Sequence, residues 1–599
     1  MFSKFYPHKS TNYINIDLIK QDSIIQRYAK EKMNMQWDKL LSVERQAERT
    51  DEKRISDKYT GISEFDNDYL SIVSSQAFRR LQDKTQVFLL DKSDFVRTRL
   101  THSLEVSTVA RQLAAMISQN LQKYQSEEMK KVLADNPNFT HNIGTIVACA
   151  GLLHDTGNPP YGHYGENVIR NWFSKQFANK DFKFRGVPIG EILTDQMKAD
   201  FMFFEGNAQG LRIMSKSRHK EKSHDINLTY AVMNTLVKYP NPSNDFDRRN
   251  KDVKKHKNGY YYAEEDIMRK MCESTGTYAD GEYVRHPLVY IMEAADDIAY
   301  STADLEDAVV KRCFTIDEFI KFYTETADRI FDEKYNNFAK DYSGSDYEKI
   351  MKYKAIRDKM SFESRKFIKK DQARIDAWRK EREALFETDD EKKLLEKLQK
   401  GVDEWKRPFG QIASLRKNLY SQGYNRTPES DFVLFENWLT DTRQWLMNGA
   451  AFAFSKNYKD IMEGSYPKDL FAGTYVEDTI SILKKTMAEY VYDSEELVEM
   501  ELAAKQVVES LLRNFVEAVL YYLEPDQDEH MTVIDDRFIR KIPANFREDY
   551  KGAVEKLAGT DRDNDAEKLY LRLLMVTDYI SGMTDSYASN LYKVINGIM

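Results

Sequence analysis

Apolar residues recur at helical spacing along much of the chain. The clearest run follows residue 100, where apolar side chains stand three and four positions apart. These residues are Leu104, Val106, Val109, Ala110, Leu113, Met116 and Ile117. Residues 145–153 are almost entirely apolar, which is typical of a buried helix. A further helix is predicted from Leu288 to about Cys313, and Pro287 stands at its start, where proline is well tolerated.

The pattern also contains clear interruptions. The Gly- and Pro-rich segment 157–162 must end the buried helix that precedes it, and a short amphipathic stretch follows at residues 166–173. Only 24 Gly and 13 Pro occur among 599 residues, so turn-forming residues are scarce. This composition favours long helices over many short strands. We therefore predict an all-α fold.

The chain divides into four stretches of different character. Residues 1–60 are polar and mixed and are interpreted as an N-terminal arm with a helix. The predicted core spans residues 61–325, and apolar helical periodicity returns in a C-terminal region at residues 431–599. Between these two regions, at residues 326–430, lies a charged helical excursion. The sequence leaves two interpretations of it open, a solvated surface of ion pairs and a basic face for single-stranded nucleic acid.

The composition excludes several classes of protein. Hydrophobic residues make up 41% and charged residues 31%, which fits a soluble globular protein. No apolar run is long enough to span a bilayer, so no membrane partner is expected, and the first residues lack the features of a signal peptide. Three cysteines are too few for a disulfide framework or a paired-cysteine zinc site. We expect a cytoplasmic protein.

Four polar segments carry the candidate chemistry. They are residues 97–102, the pair His154-Asp155, residues 163–166 and residues 293–300. Two imidazoles and two carboxylates from separate helices would suit a divalent ion that activates water and keeps positions open for substrate. The net charge of −8 does not attract polyanions, so a phosphate-rich substrate would also need a local group of Arg and Lys.

Each segment has an ordinary structural interpretation as well. A His-Asp pair alone is a weak signal, and a second one, His224-Asp225, stands in a polar setting and is given no role. His102 alone would more often be a surface or core residue. Asp296, however, lies in an apolar helix and shares one face with Tyr300 and Asp304, at positions i, i+4 and i+8. A polar stripe in an apolar helix favours a site, because buried carboxylates need a compensating cation or donors.

Taken together, these segments resemble the HD superfamily and, within it, the bacterial dGTP triphosphohydrolases. The matching stretches cover roughly residues 65–310 and follow the order of that family: residues 78–88, 99–106, 151–163, 204–209 and 293–307. The resemblance implies an HD-type helical core with helical insertions.

The resemblance implies a role for individual residues. The metal ligands would be four residues: His102, His154, Asp155 and Asp296. We choose Asp296 over Asp297 because the family spaces its metal aspartate four residues before a substrate-contacting tyrosine, here Tyr300. His163 would be the catalytic histidine, with Glu166 as its partner.

The same resemblance implies a set of substrate contacts. Gln86 and Val87 would lie against the deoxyribose, together with Tyr300, and Asp304 would lie near its 3′-hydroxyl. Arg99 and Lys257 would bind the phosphates. Asn158, also counted as a substrate contact, stands where some animal relatives carry a histidine, so no second catalytic histidine is expected there.

The function implied by the resemblance is hydrolysis of dGTP, or another deoxynucleoside triphosphate, to a deoxynucleoside and inorganic triphosphate. A water activated by one divalent metal ion (Mg, Mn, Fe or Co) would attack the α-phosphorus, and His163 would protonate the departing oxygen. The family is commonly hexameric, so a homo-oligomer is expected, and single-stranded DNA is a candidate effector. The alternatives are another HD phosphohydrolase and a catalytically silent helical protein that binds nucleotides or single-stranded DNA.

Overall fold

The fold is described from a computed structural model of the chain. The structure describes residues 34–46, 62–88, 95–124, 127–216, 226–365, 372–421, 426–492 and 495–598. The arm predicted for residues 1–60 lies outside the described residues except for 34–46, and the pair His224-Asp225 lies outside them as well.

The first half of the described chain is almost entirely helical and contains two short antiparallel hairpins. Its helices are α1 (Trp37–Leu40), α2 (Glu64–Ser74), α3 (Gln76–Arg79), α4 (Arg99–Tyr124), α5 (Glu127–Asp135), α6 (Phe139–Leu153), α7 (Gly162–Ala178), α8 (Ile189–Ile192), α9 (Asp195–Met202), α10 (Gly206–Ser215), α11 (Tyr230–Leu236), α12 (Glu265–Thr275) and α13 (Pro287–Val310). The hairpins pair β1 (Lys183–Phe184) with β2 (Val187–Pro188), and β3 (Tyr278–Ala279) with β4 (Glu282–Tyr283). Single-turn 3₁₀ helices occur at Arg80–Asp83, Val253–Lys255 and Tyr262–Glu264.

The second half of the described chain continues with helices. They are α14 (Ile316–Lys340), α15 (Gly344–Arg365), α16 (Gln372–Glu383), α17 (Asp389–Trp405), α18 (Arg407–Ser421), α19 (Pro428–Lys456), α20 (Tyr458–Met462), α21 (Glu477–Met487), α22 (Glu495–Val519), α23 (Gln527–His530), α24 (Val533–Lys541), α25 (Ala544–Leu557), α26 (Asp565–Ser581) and α27 (Asp585–Ile595). A π-helical turn, Ala488–Tyr492, follows α21. The prediction of an all-α fold is confirmed. Among the described residues, no helix is both long and apolar enough to cross a bilayer.

The local sequence explains where the central helices begin and end. Helix α6 is buried along most of its length and ends at Leu153, before the Gly/Pro segment, as predicted, but it begins at Phe139, six residues before the apolar run. Helix α13 begins with Pro287 at its first position, and the His286 side chain accepts a hydrogen bond from the backbone N–H of Leu288 in the first turn. It ends at Val310, earlier than the prediction, and Arg312 just beyond it takes a left-handed conformation.

Buried hydrophobic residues form three clusters. The first combines residues of α4, α6 and α13 with those of α19 and α21, and α4 packs against both α6 and α13. The second joins α7 and α9 to the C-terminal helices α22, α26 and α27. The third belongs to the charged excursion itself and consists of Phe331, Tyr335, Ala339, Ile350, Tyr353, Phe386, Leu394, Leu398 and Val402. The excursion is therefore helical, as predicted, but it also has a small hydrophobic core of its own. The division at residues 61–325, 326–430 and 431–599 stays a prediction.

Candidate functional site

Two imidazoles and two carboxylates from three helices meet at one place. His102 lies in the first turn of α4, His154 and Asp155 follow the last residue of α6, and Asp296 lies in the middle of α13. Three of these residues, His102, His154 and Asp155, each offer one ligand atom, and the three atoms lie within 4.8 Å of one another. Asp296 Oδ1 is 3.2 Å from His102 Nε2 and 3.4 Å from His154 Nε2. The packing of α4 against α6 and α13 thus brings together all four residues that the sequence proposes as metal ligands.

The geometry of this cluster fits a divalent cation. The Nδ1 atom of His154 lies 2.8 Å from the backbone oxygen of Gly151, which orients the ring so that Nε2 faces the carboxylates. Such a contact at the second ring nitrogen is typical of histidines that bind metals. Imidazole nitrogen and carboxylate oxygen are ligands that Mn, Fe and Co accept. The ring centroids of His102 and His154 are 5.4 Å apart, so both nitrogens can reach a common ion.

Asp155 is held by donors on both of its oxygens. Arg99 Nη1 donates to Oδ2 at 2.6 Å, and the Asn158 side-chain amide donates to Oδ1 at 2.6 Å. Burial acts to raise the pKa of Asp155, but the Arg99 guanidinium and the two imidazoles outweigh it and hold that pKa well below its usual range. The pKa of His154 is raised, because the neighbouring carboxylates outweigh the effect of burial. The cluster therefore carries anionic carboxylates at neutral pH.

Asp296 and Asp297 point to different partners. Asp296 contacts the imidazoles through Oδ1, and its Oδ2 accepts a hydrogen bond from Lys238 Nζ at 2.6 Å. Asp297 instead accepts from Lys484 Nζ at 2.7 Å. The structure therefore brings Asp296, and not Asp297, into the cluster. Sequence reasoning missed Lys238, which stands two residues after the end of helix α11, where polar residues are common.

His163 and Glu166 form a hydrogen-bonded pair at the start of α7. His163 Nδ1 lies 3.1 Å from Glu166 Oε2, and the His163 side chain is 72% exposed whereas that of Glu166 is 2% exposed. Burial acts to raise the pKa of Glu166, but the hydrogen bond with His163 and the charge of Arg170 outweigh it and lower that pKa. An accessible imidazole oriented by a buried carboxylate is suited to proton transfer.

The chain around Glu166 is packed without spare room. The backbone N–H of Gly206 donates to Glu166 Oε1 at 2.8 Å. A Cβ atom at residue 206 would lie 2.1 Å from Asn158 Oδ1 and 2.8 Å from Glu166 Oε1, so this position requires glycine. Arg170 bridges Glu166 and Glu205, at 3.2 and 2.8 Å. Neither Arg170 nor Glu205 was predicted from the sequence as a site residue, although Glu205 lies in the matching stretch 204–209.

Asp304 and Gln86 present buried acceptors without partners. Asp304 is fully buried, and within the described part of the chain neither of its carboxyl oxygens has a hydrogen-bond partner. Burial, together with the negative charge of Asp307, raises the pKa of Asp304 well above its usual range. The side-chain oxygen of Gln86 is also buried and unpaired by the same criterion. Buried unpaired polar groups are costly and rare, so they mark a place where a ligand can supply the missing partners.

The remaining predicted substrate residues are placed as follows. Val87 is half-buried against the first hydrophobic cluster, and Tyr300 is half-buried on α13, one turn from Asp296 and one from Asp304. Arg99 is buried on Asp155, and Lys257 Nζ donates to Glu205 at 2.9 Å. Both cations are thus paired with carboxylates here, and their role toward phosphates stays a prediction.

Comparison with known proteins gives consistent results. The HD domain family model matches residues 99–219. A deoxyguanosinetriphosphate triphosphohydrolase-like protein of Listeria innocua is 36% identical over 567 residues, which cover 94% of this chain and 100% of that protein. A deoxyguanosinetriphosphate triphosphohydrolase of Yersinia enterocolitica is 29% identical over 570 residues, covering 90% and 94%. A deoxyguanosinetriphosphate triphosphohydrolase-like protein of Pseudomonas aeruginosa is 39% identical over 277 residues, covering 46% and 57%.

Proposed function

This chain belongs to the family of deoxyguanosinetriphosphate triphosphohydrolase-like proteins, and from that premise we propose that it hydrolyses dGTP, or another deoxynucleoside triphosphate, to a deoxynucleoside and inorganic triphosphate. The observation that carries the proposal is the convergence of His102, His154, Asp155 and Asp296 on one point between three helices. The names of the relatives from Listeria innocua and Yersinia enterocolitica supply the substrate class.

The cluster would hold one divalent cation through His102, His154, Asp155 and Asp296, and that cation would polarise an α-phosphate oxygen and activate a water. Arg99 and Lys238 already lie on two of the ligand carboxylates, so their positive charges border the place where a triphosphate would bind. Cations in such a position stabilise the charge that builds up on phosphoryl oxygens during transfer.

His163 would protonate the leaving 5′-oxygen. A departing alkoxide is a poor leaving group, so it needs a proton at the moment the bond to phosphorus breaks. The exposed His163 ring can reach a bound substrate, and Glu166 holds it through Nδ1, which leaves Nε2 as the nitrogen that exchanges a proton with the substrate. The triphosphate then leaves intact.

Asp304 and Gln86 would recognise the sugar. Burial raises the pKa of Asp304 well above its usual range, and in its protonated form this carboxyl can both donate to and accept from a 3′-hydroxyl. Gln86 would lie against the sugar together with Val87 and Tyr300. A close fit at C2′ would leave no room for a 2′-hydroxyl, which would favour deoxynucleotides over ribonucleotides.

Product identity tests this proposal. The purified protein is incubated with Mn²⁺ and, in separate reactions, each of the four dNTPs and GTP in water enriched with ¹⁸O. We expect triphosphate as the first phosphate product, with the label in the triphosphate and none in the deoxynucleoside, because water attacks the α-phosphorus. Pyrophosphate or orthophosphate as the first product would make the protein another kind of HD phosphohydrolase.

Two histidine variants make the test specific. His154→Ala removes a proposed ligand and should abolish triphosphate release. His141→Ala changes a surface histidine that pairs with Asp66, and this variant should release triphosphate at the wild-type rate. Equal triphosphate release by both variants would show that the cluster takes no part in the reaction.

A further inference from the structure

Asp585, the first residue of the last helix, binds two segments of the candidate site at once. Its side chain is buried, with the residue 2% exposed. Oδ2 accepts hydrogen bonds from the backbone N–H of Thr85, at 2.9 Å, and from the Thr85 hydroxyl. Oδ1 accepts from the backbone N–H of Tyr161 at 2.9 Å. One carboxylate from the C-terminal end of the chain therefore joins two segments that are distant in sequence from it and from each other.

Both of these segments adjoin residues with a proposed role in the reaction. Thr85 directly precedes Gln86, which is proposed to contact the sugar. Tyr161 directly precedes α7, which carries His163 in its first turn. Tyr161 and Gly162 have φ values of 63° and 58°, a left-handed conformation that is unfavourable for a residue with a side chain. Such a turn persists where the surrounding structure holds it, and the hydrogen bond to Asp585 supplies a restraint.

Lys84 provides a second connection to the same C-terminal corner. Its buried ammonium donates to the backbone oxygen of Asn158, at 2.5 Å, and to the backbone oxygen of Ser581, at 2.7 Å. The backbone oxygen of Lys84 accepts from the N–H of Arg99 at 3.1 Å. The side chains of Asp585 and Lys84 thus connect the corner between α26 and α27 to the segment before Gln86 and to the loop before His163.

We propose that Asp585 is a positioning residue that fixes the sugar-contacting segment and the His163 turn relative to each other, so that the C-terminal helices complete the catalytic site. This inference rests on the proposed function. It differs from a purely structural role in one respect, because loss of Asp585 should change sugar discrimination and the chemical step beyond any loss of folded protein. Loss of a buried carboxylate that only stabilised the fold would lower the melting temperature and leave the other two properties unchanged.

Asp585→Asn is the informative variant. Its single amide oxygen can accept from one segment, and its amide nitrogen, which is a donor, would face the N–H of the other. We expect kcat for dGTP to fall at least tenfold, and the ratio of kcat/KM for dGTP to that for GTP to fall at least fivefold. The increase in melting temperature on addition of Mn²⁺ should persist, because no metal ligand is altered.

Glu524→Gln is the matched control. Glu524 is a buried carboxylate of the C-terminal region that pairs with Arg572 and Arg185 rather than with either segment, as far as the described residues show. The Glu524→Gln substitution should lower the melting temperature without changing the ratio of kcat/KM for dGTP to that for GTP. If Asp585→Asn also left that ratio unchanged, the positioning role would be refuted.

A second variant covers the case in which Asp585→Asn does not fold. Thr85→Val removes only the hydroxyl bond to Asp585 and keeps the backbone bond, and we expect a fall in the dGTP/GTP ratio of about twofold, in the same direction. An unchanged ratio in a folded Thr85→Val protein would then overturn the proposal.

Hydrogen–deuterium exchange separates this proposal from the proposed function. If the wild-type protein splits no dNTP, the proposed function fails, but residues 83–88 and 155–163 should still both exchange faster in Asp585→Asn than in Glu524→Gln. Faster exchange of only one segment, or of neither, would mean that Asp585 does not couple them.

Discussion

The ammonium group of Lys238 lies 2.6 Å from Oδ2 of Asp296, the carboxylate whose other oxygen contacts both imidazoles of the proposed metal site. Burial acts to lower the pKa of Lys238, but the charge of Asp296 outweighs it and raises that pKa, so the lysine is cationic at neutral pH. A divalent ion and this ammonium would therefore be held by the same carboxylate and repel each other.

Replacement of Lys238 should separate metal binding from turnover. We predict that Lys238→Met tightens the dissociation constant for Mn²⁺ by about tenfold, which corresponds to about 1.4 kcal/mol, because one positive charge next to the site is removed. Turnover of dGTP should nevertheless fall at least tenfold, since the charge also faces the proposed phosphate position. Titration calorimetry with Mn²⁺ measures the first effect.

Lys484→Met is the control for this prediction, because it removes the equivalent ammonium from Asp297. The dissociation constant for Mn²⁺ should change by less than threefold. Weaker Mn²⁺ binding by Lys238→Met than by the wild type would contradict the electrostatic argument.

The two neighbouring aspartates of α13 should differ sharply as metal ligands. Asp296 contacts His102 and His154, whereas Asp297 is paired with Lys484. A ligand that binds only the folded state raises the melting temperature. We therefore predict that Mn²⁺ raises the melting temperature of the wild type and of Asp297→Asn but not of Asp296→Asn. The opposite result would reassign the ligand to Asp297.

Much of this arrangement could be predicted from the sequence, and for a physical reason. The helices α4, α6 and α13 have apolar faces at regular spacing, and their packing follows from burial of those faces. The polar residues His102 and Asp296 lie within these apolar helices and His154 directly follows one of them, so their sequence positions are informative. The membership of the chain in the triphosphohydrolase family, inferred from the order of the motifs, is confirmed by the comparisons.

Lys238 and Asp585 could not be predicted in the same way. Each stands at the end or start of a helix, where polar residues are common and periodicity gives no signal. Their significance depends on partners far away in the chain, such as Asp296 for Lys238 and Tyr161 for Asp585. Such contacts are set by tertiary packing of the C-terminal helices and the core. Similarly, the charge pattern of the excursion did not indicate the hydrophobic core that Tyr335 and Tyr353 help to form.

His163 and Glu166 should be separable from metal binding. We predict that His163→Gln lowers kcat for dGTP by at least about a thousandfold, within the range for loss of a general acid, because the leaving oxygen has no proton donor. The increase in melting temperature with Mn²⁺ should remain as in the wild type. Glu166→Gln should lower kcat by about 10- to 100-fold, because the amide can hold the ring but lacks the negative charge.

His141→Gln serves as the comparison, since it alters an exposed histidine that also pairs with a carboxylate, Asp66. Its kcat should stay within twofold of the wild type. If His163→Gln retained more than a tenth of the wild-type kcat, the proton donor would have to be another group.

Asp200 should make the stability of the protein depend on pH. This buried carboxyl of α9 accepts hydrogen bonds from Ser243, Tyr570 and the backbone of Tyr262, but burial outweighs them and raises its pKa from 3.8 to about 7. Below pH 4 the group is protonated in both the folded and the unfolded chain. Between pH 4 and 7 the unfolded chain releases the proton first, so the free energy of unfolding falls by about 1.4 kcal/mol per pH unit.

Asp200→Asn removes this titration, so the melting temperature of the variant minus that of the wild type should increase as the pH rises from 5 to 7 and then remain constant. Asp563→Asn is the control, because the pKa of this exposed carboxyl is lowered by Lys568 and lies outside that window. The melting temperature of this control minus that of the wild type should be the same at pH 5 and pH 8. A pH-independent difference for Asp200→Asn would mean that the carboxyl is already ionised at pH 5, and that its hydrogen bonds outweigh burial.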